Sequence, residues 1–214
     1  MKQIAFLVLT FILFTSYSFP DEKKWELKKK EKGILVYTRL AEGAYVKEVR
    51  VVNKVKSTLS AVVGLTLDTP NYPNWIYACS EAKTLKAISD REQYKYQVTK
   101  VPWPFSDRDL ITDFKIAQNP TTKVVTVNSS VLPNYIPAVD GRVRVEHFHS
   151  AYTLTPLPND SVQVDYELYV DPGGDIPAWL INSNIVMAPF NTTLEMIKQL
   201  PKYQSSSFSF IKEK

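Results

Sequence analysis

The chain offers little for nucleophilic or metal chemistry: one cysteine, Cys79, and two histidines, His147 and His149, in 214 residues. The histidines share parity on one β-rich run, yet two ligands without a third acid or thiol nearby do not make a zinc centre, and hydrogen-bonded structural histidines are the expectation. With one cysteine no intrachain disulfide forms. Cys79 has neither a base nor a helix N-terminus to activate it, so an inert buried thiol is expected. Gly173-Gly174 lacks the strand-GxxxxGK-helix setting of a phosphate loop, and no GxSxG elbow is present. The acids that strand parity could turn inward reduce to Glu81 and Glu48. One charged group has a distinctive setting, Arg108 within Ser106-Asp107-Arg108-Asp109. If Leu110, Thr112 and Phe114 face a cavity then so does Arg108, while Asp107 and Asp109 face outward to the turn and solvent.

These residues must be positioned mostly by strands. Ile34 to Arg39 and Tyr45 to Val55 read as a hairpin around a turn at Glu42-Gly43, after a charged arm or short helix over Asp21 to Glu31. Ser57 is a candidate N-cap for a short helix carrying Leu59, Val62, Val63 and Leu67, which Pro70 and Pro73 stop. Then period two takes over. Tyr94, Tyr96 and Val98 alternate with Lys95, Gln97 and Thr99, and Val162, Val164, Tyr166, Leu168 and Val170 alternate with polar residues, so one face should be dry. Further strands are expected over Ala78 to Ile88, Asp107 to Ala117, Lys123 to Val131 and Arg142 to Leu154. With no helices between them the sheet must be antiparallel, of about eight strands. Trp103, between Pro102 and Pro104, marks a strand end or bulge. After Gly173-Gly174, Asp175 can cap a long helix with Leu180, Met187, Phe190, Leu194 and Ile197 on one side and a kink at Pro189.

This is an α+β design in which a curved sheet has one long helix as partner for its dry face. Such a sheet can leave a hydrophobic cavity beneath the helix, lined by alternating aromatic and aliphatic residues such as Tyr94 and Tyr96, or those side chains can simply fill a core; spacing leaves both open.

Composition sets outer bounds. At 44% hydrophobic, 22% charged and net charge +4 the chain is an ordinary globular protein, and without a basic, aromatic-interleaved stripe nucleic acid is not an expected partner. Lys2 followed by the apolar run Ile4 to Phe14 and then Thr15, Ser16 and Ser18 reads as a signal peptide over 1–18, too short to span a bilayer. One mature domain over 19–204 and a tail over 205–214 are expected, exported to the periplasm or the medium.

The segment Val101 to Leu110, VPWPFSDRDL, together with GGDIPAWLIN from Gly173 to Asn182, resembles the START family, the steroidogenic-acute-regulatory-related lipid-transfer domains, in its bacterial single-domain branch. The GILVYTR strand at Gly33 to Arg39, the YPNW turn at Tyr72 to Trp75 and the Pro-containing final helix fall in the family's order. The resemblance implies a helix-grip fold around a lipid-sized tunnel, with lipid binding or transfer as the usual activity and no cofactor. It also implies that Arg108 is paired inside the cavity with an acid one strand earlier, matched here by Glu81. A buried guanidinium needs such compensation, and the pair could bind a polar head group or hold strands together.

The expected ligand-binding set is therefore Arg108, Glu81, Tyr94, Tyr96, Trp103, Met187 and Phe190, without metal. A monomer is expected, with a lipid or other hydrophobic ligand and transient membrane contact through Pro133 to Asp140, whose Tyr135 and Ile136 would be exposed. The alternative is an enzyme on the same scaffold, a cyclase, aromatase or hydrolase acting on an apolar substrate.

Overall fold

Alternation in the sequence becomes ten strands in the computed structural model, which describes residues 24–40, 46–174 and 176–213. The leader read at 1–18, the Glu42-Gly43 turn and Asp175 lie outside the described residues. The charged arm is a strand, β1 (Glu26–Glu31), on the free edge of the sheet beside β2 (Ile34–Leu40). Its lysines suit an edge that must not recruit another strand. β2 pairs antiparallel with β3 (Lys47–Lys56), and β3 leads into α1 (Leu59–Leu67). The cap is Thr58 rather than Ser57: its Oγ1 accepts from the Ala61 amide at 3.1 Å. A 3-10 turn over Thr69–Asn74 carries Pro70 and Pro73 and packs Tyr72 edge-on against Trp75.

The remaining strands are β4 (Cys79–Ala87), β5 (Glu92–Thr99), β6 (Asp107–Gln118), β7 (Val125–Val131), β8 (Arg142–Arg144), β9 (His147–Leu157) and β10 (Ser161–Asp171). Their order is β1-β2-β3-β10-β9-β7-β6-β5-β4, with neighbours antiparallel along this path. The run expected as one strand from Arg142 to Leu154 is two. β8 pairs in parallel with Asp107–Asp109 at the start of β6, and the chain then turns into β9, so antiparallel pairing does not hold for those three residues.

One face of the sheet grips α2 (Ala178–Gln199). The helix follows Pro177, which takes the N-cap position without a side-chain cap bond. Pro189 inside it has no N–H for the Ile185 carbonyl. Phe190 is buried against Ile34, Val36, Val49 and Val51 of β2 and β3. A second apolar cluster joins α1 and the end of α2 to β6, β7, β9 and β10. The tail completes it: Ile211 is buried, and the Glu213 carboxylate accepts from the Leu59 and Ser60 amides at 2.8 and 2.9 Å, placing an anion at the N-terminus of α1.

The outer face is covered at one end as well. Residues 133–141 fold over β5 and β6, where Ile136 packs with Tyr96, Val98 and Ile111, and Tyr135 meets Tyr94 edge-on at 4.9 Å. Arg144 pins this segment by donating to the carbonyls of Pro133, Ile136 and Pro137 while forming a two-point ion pair with Asp109. Asp109, read as solvent-facing, is therefore buried beneath this cover.

Candidate functional site

Between the inner face of the sheet and α2 lies a cavity of about 670 Å³. Strand parity builds its walls: Leu110, Thr112 and Phe114 come from β6, Tyr166, Leu168 and Val170 from β10, and Ile181, Ile185 and Ala188 from α2. These side chains leave space because a strongly curved sheet and one helix cannot interdigitate along their whole length. The more exposed lining residues, 76–78, 100–102 and the segment before α2, form the rim.

Arg108 lies on this wall and is 5% exposed. Its Nε donates to the Pro172 carbonyl at 3.1 Å, Nη1 to Ser106 at 2.6 Å and Nη2 to Gly173 at 2.8 Å. Burial pulls its pKa below the usual value and Asp107 partly restores it. Gly173 and Gly174 both have positive φ, and a Cβ at Gly174 would come within 3.2 Å of Nη2, so this turn is built around the guanidinium.

The expected Arg108–Glu81 pair does not form. Glu81 pairs instead with Arg142 at 3.0 Å, which also donates to the Tyr96 hydroxyl, and Glu81 is not part of the cavity wall. Carbonyls, rather than an acid, satisfy Arg108 among the described residues. Tyr94 and Tyr96 point to the opposite face, because Lys95, Gln97 and Thr99 are the β5 residues that line the cavity. Period two identifies residues that share a face; here the apolar set lies beneath the outer cover. Phe190 packs in the core beside the cavity, and Met187 is 40% exposed, on the far side of α2 from Pro189. Trp103 is 92% exposed and contributes no packing, although the neighbouring Val101 and Pro102 line the rim. Of the seven expected positions, the cavity brings in Arg108 alone. Likewise, no residue of the 133–140 segment lines it.

Lys95 stands at a polar position of the alternating β5 pattern and is not among the expected site residues. It is 3% exposed, and its Nζ donates to the Thr66 carbonyl at 2.7 Å and the Tyr72 hydroxyl at 2.8 Å, 3.3 Å from the centre of the Phe114 ring. Desolvation drives its pKa well below the usual value, opposed by the Asp68 carboxylate. Nearby Tyr152 and Tyr166 stack at 4.1 Å, and burial raises both hydroxyl pKa values, that of Tyr166 to about 12. The signal available in sequence was one lysine at the parity of Gln97 and Thr99, which does not reveal the inner face.

His149 stacks on Tyr169 outside the cavity, Cys79 is buried with its thiol pushed up to about 11, and no cluster of metal-ligating side chains occurs among the described residues.

A curved sheet closed by a C-terminal helix over an apolar cavity defines a helix-grip protein. The START domain model matches residues 20–202, and the chain belongs to that family. It is 32% identical to an uncharacterized protein of Pseudomonas aeruginosa, PA1579, over 78% of this chain and 82% of that one. It is 23% identical to the mouse phosphatidylcholine transfer protein, covering 86% of each. Among solved structures, the STAR-related lipid transfer protein of Xanthomonas axonopodis is similar at 34% identity and TM-score 0.77, covering 83% of this chain and 98% of that one. Human STARD10 shares the fold at 19% identity and TM-score 0.71, covering 84% and 74%.

Proposed function

We propose that this protein is exported, binds one lipid or similar hydrophobic molecule between the sheet and α2, and passes it between membranes. The observation that carries the reading is the cavity itself, whose volume lies in the range of sites that enclose one small amphiphile and whose walls are largely aliphatic and aromatic. Each buried methylene contributes about 0.8 kcal/mol, so partitioning alone can hold a chain of a dozen carbons. The lipid-transfer relatives support the same reading. No Asp, Glu, His or Cys lines the cavity among the described residues, which favours binding over turnover.

Contact with a membrane would use the rim. Trp103 and Trp179 are 92% and 68% exposed, and Tyr77 and Met187 also face solvent. Arg108 bonds the carbonyls of Ser106 and Gly173, three residues after Trp103 and six before Trp179. Exposed amphipathic aromatics, together with Lys47 and Lys100 of the cavity lining, suit an interfacial surface, and among the described residues no helix is long and apolar enough to cross a bilayer. The leader-like N-terminus supports export, and the bacterial relatives support a bacterial source. A single copy suffices to build the cavity, consistent with a monomer.

The test is to purify the protein without detergent and compare native with denaturing mass spectra. A discrete mass lost on denaturation supports the reading. A clean unliganded mass, with no uptake of a fluorescent fatty acid or sterol, would overturn it. The N-terminus of the protein recovered from culture tests export.

A further inference from the structure

Resting on this lipid-binding reading, we infer that the ligand is a long-chain carboxylic acid, bound with its carboxylate at the inner end of the cavity on Lys95 and Trp75 and its chain running toward the Arg108 end. The wall has a one-sided charge pattern. Lys47, Lys95, Lys100 and Arg108 line it, and no Asp or Glu does among the described residues. A neutral ligand leaves that imbalance in place, whereas an acid offsets it.

The anchor is Lys95 because of its environment. Arg108 already donates to three carbonyls, while Lys95 Nζ has two partners, the Thr66 carbonyl and the Tyr72 hydroxyl, and turns its remaining donor capacity onto the Phe114 ring. A carboxylate oxygen is a stronger acceptor than a ring face. Trp75 holds a second, unsatisfied donor. It lines the same cavity, is 3% exposed, touches Tyr72 edge-on, and its Nε1–H is buried with no hydrogen-bond partner. A buried indole N–H without a partner is uncommon and needs an acceptor. Lys95 and Trp75 both contact Tyr72 and both line the cavity.

The groups facing Lys95 are Tyr72 from the 3-10 turn and Phe114 from β6, with Asp68 at the end of α1 acting on it while bonded to Tyr203. Desolvation works against the charge on Lys95, so a counter-anion beside it is stabilising. A carboxylate seated against its ammonium supplies that counter-charge, and the two groups are held as an ion pair. The cavity holds about twenty heavy atoms at roughly 30 Å³ each, the size of one long-chain acid. From Lys95 to Thr99, which pairs with Arg108, is four residues of strand, about 13 Å of wall for the chain.

The experiment compares palmitate with methyl palmitate by displacement of a fluorescent probe from the delipidated protein. The acid is expected to bind at least about tenfold more tightly, and Lys95→Met, which keeps the volume and removes the donor, is expected to erase the difference while retaining the ester. Trp75→Phe should reduce it severalfold. Equal binding of acid and ester by the wild type, or full acid preference in the Lys95→Met protein, overturns the inference and leaves the lipid cavity standing. If neither compound displaces the probe the inference is overturned, and the lipid reading fails with it only if the native mass is clean and the probe itself does not bind. A measurement on the wild type alone covers the case of a misfolded variant: the signal of carboxyl-¹³C palmitate should titrate at lower pH when bound than in a phospholipid bilayer, and unchanged or raised titration overturns the inference.

Discussion

Arg108 Nη2 donates to the carbonyl of Gly173 at 2.8 Å, fastening the start of β6 to the turn that launches α2. Pro172 and Ser106 accept from the same guanidinium, so one side chain sets the spacing between sheet, rim loop and helix. Arg108→Met is expected to lower stability by about 2–4 kcal/mol, because it leaves three carbonyl groups in search of donors. Urea unfolding measures the loss, and amide exchange should quicken first around residues 172–176. Unchanged exchange there would refute the fastening role.

Asp109 and Arg144 form a pair under the outer cover in which the Asp109 side chain is 1% exposed. Replacing Asp109 with Asn strands a buried guanidinium and should cost about 3–5 kcal/mol. Glu81→Gln, at the more open pair with Arg142, should cost under about 1 kcal/mol. Equal losses in chemical denaturation would contradict this ranking.

For the rim, the double variant Trp103→Ala with Trp179→Ala should leave thermal stability within about 0.5 kcal/mol, since both rings are largely in solvent. Sedimentation with anionic vesicles should show weaker association and a slower transfer rate. Wild-type rates in the variant would remove these residues from the membrane-contact surface.

The tail makes a separate prediction. Deleting residues 208–214 removes buried Ile211 and the Glu213 carboxylate from α1, and should cost at least about 3 kcal/mol. Glu213→Gln alone should cost about 1 kcal/mol. A deletion that unfolds at the wild-type denaturant midpoint would show that the tail is dispensable.

Cys79 gives a pH signature. Burial raises its thiol to about 11, so between roughly pH 9 and 11 the unfolded chain loses a proton that the folded chain keeps, and stability falls as pH rises. The loss from this group approaches about 2–3 kcal/mol by the top of that window. Lys95 acts with the opposite sign, because its lowered pKa makes the unfolded state bind more protons. The difference between wild type and Cys79→Val isolates the thiol, and parallel stability curves for the two proteins would contradict the assignment.

Much of the architecture was legible in the sequence because local patterns are one-dimensional: period two for β5, β6 and β10, and apolar spacing between glycines and prolines for α1 and α2. The VPWPFSDRDL and GGDIPAWLIN segments pointed to the family and brought Arg108 forward. Face parity also held along β6, where Arg108, Leu110, Thr112 and Phe114 line one wall. The sequence by itself thus determined which residues share a face, where elements stop, and that a long helix must cover a sheet.

Which face turns inward was decided only by tertiary structure. On β5 the apolar set of Tyr96 and Val98 lies under the 133–141 cover, and the polar set of Lys95, Gln97 and Thr99 lines the cavity. Alternation records that two environments differ, and two covered faces can both be dry. The partners of Arg108 were equally hidden, since backbone carbonyls carry no sequence signature. Met187 shares a helical stripe with Leu180, yet the buried arc of α2 drifts round to Phe190 as the helix crosses a twisted sheet. Lys95 reached its inner position by the same long-range closure, which placed one amine beside Tyr72 from a turn more than twenty residues earlier.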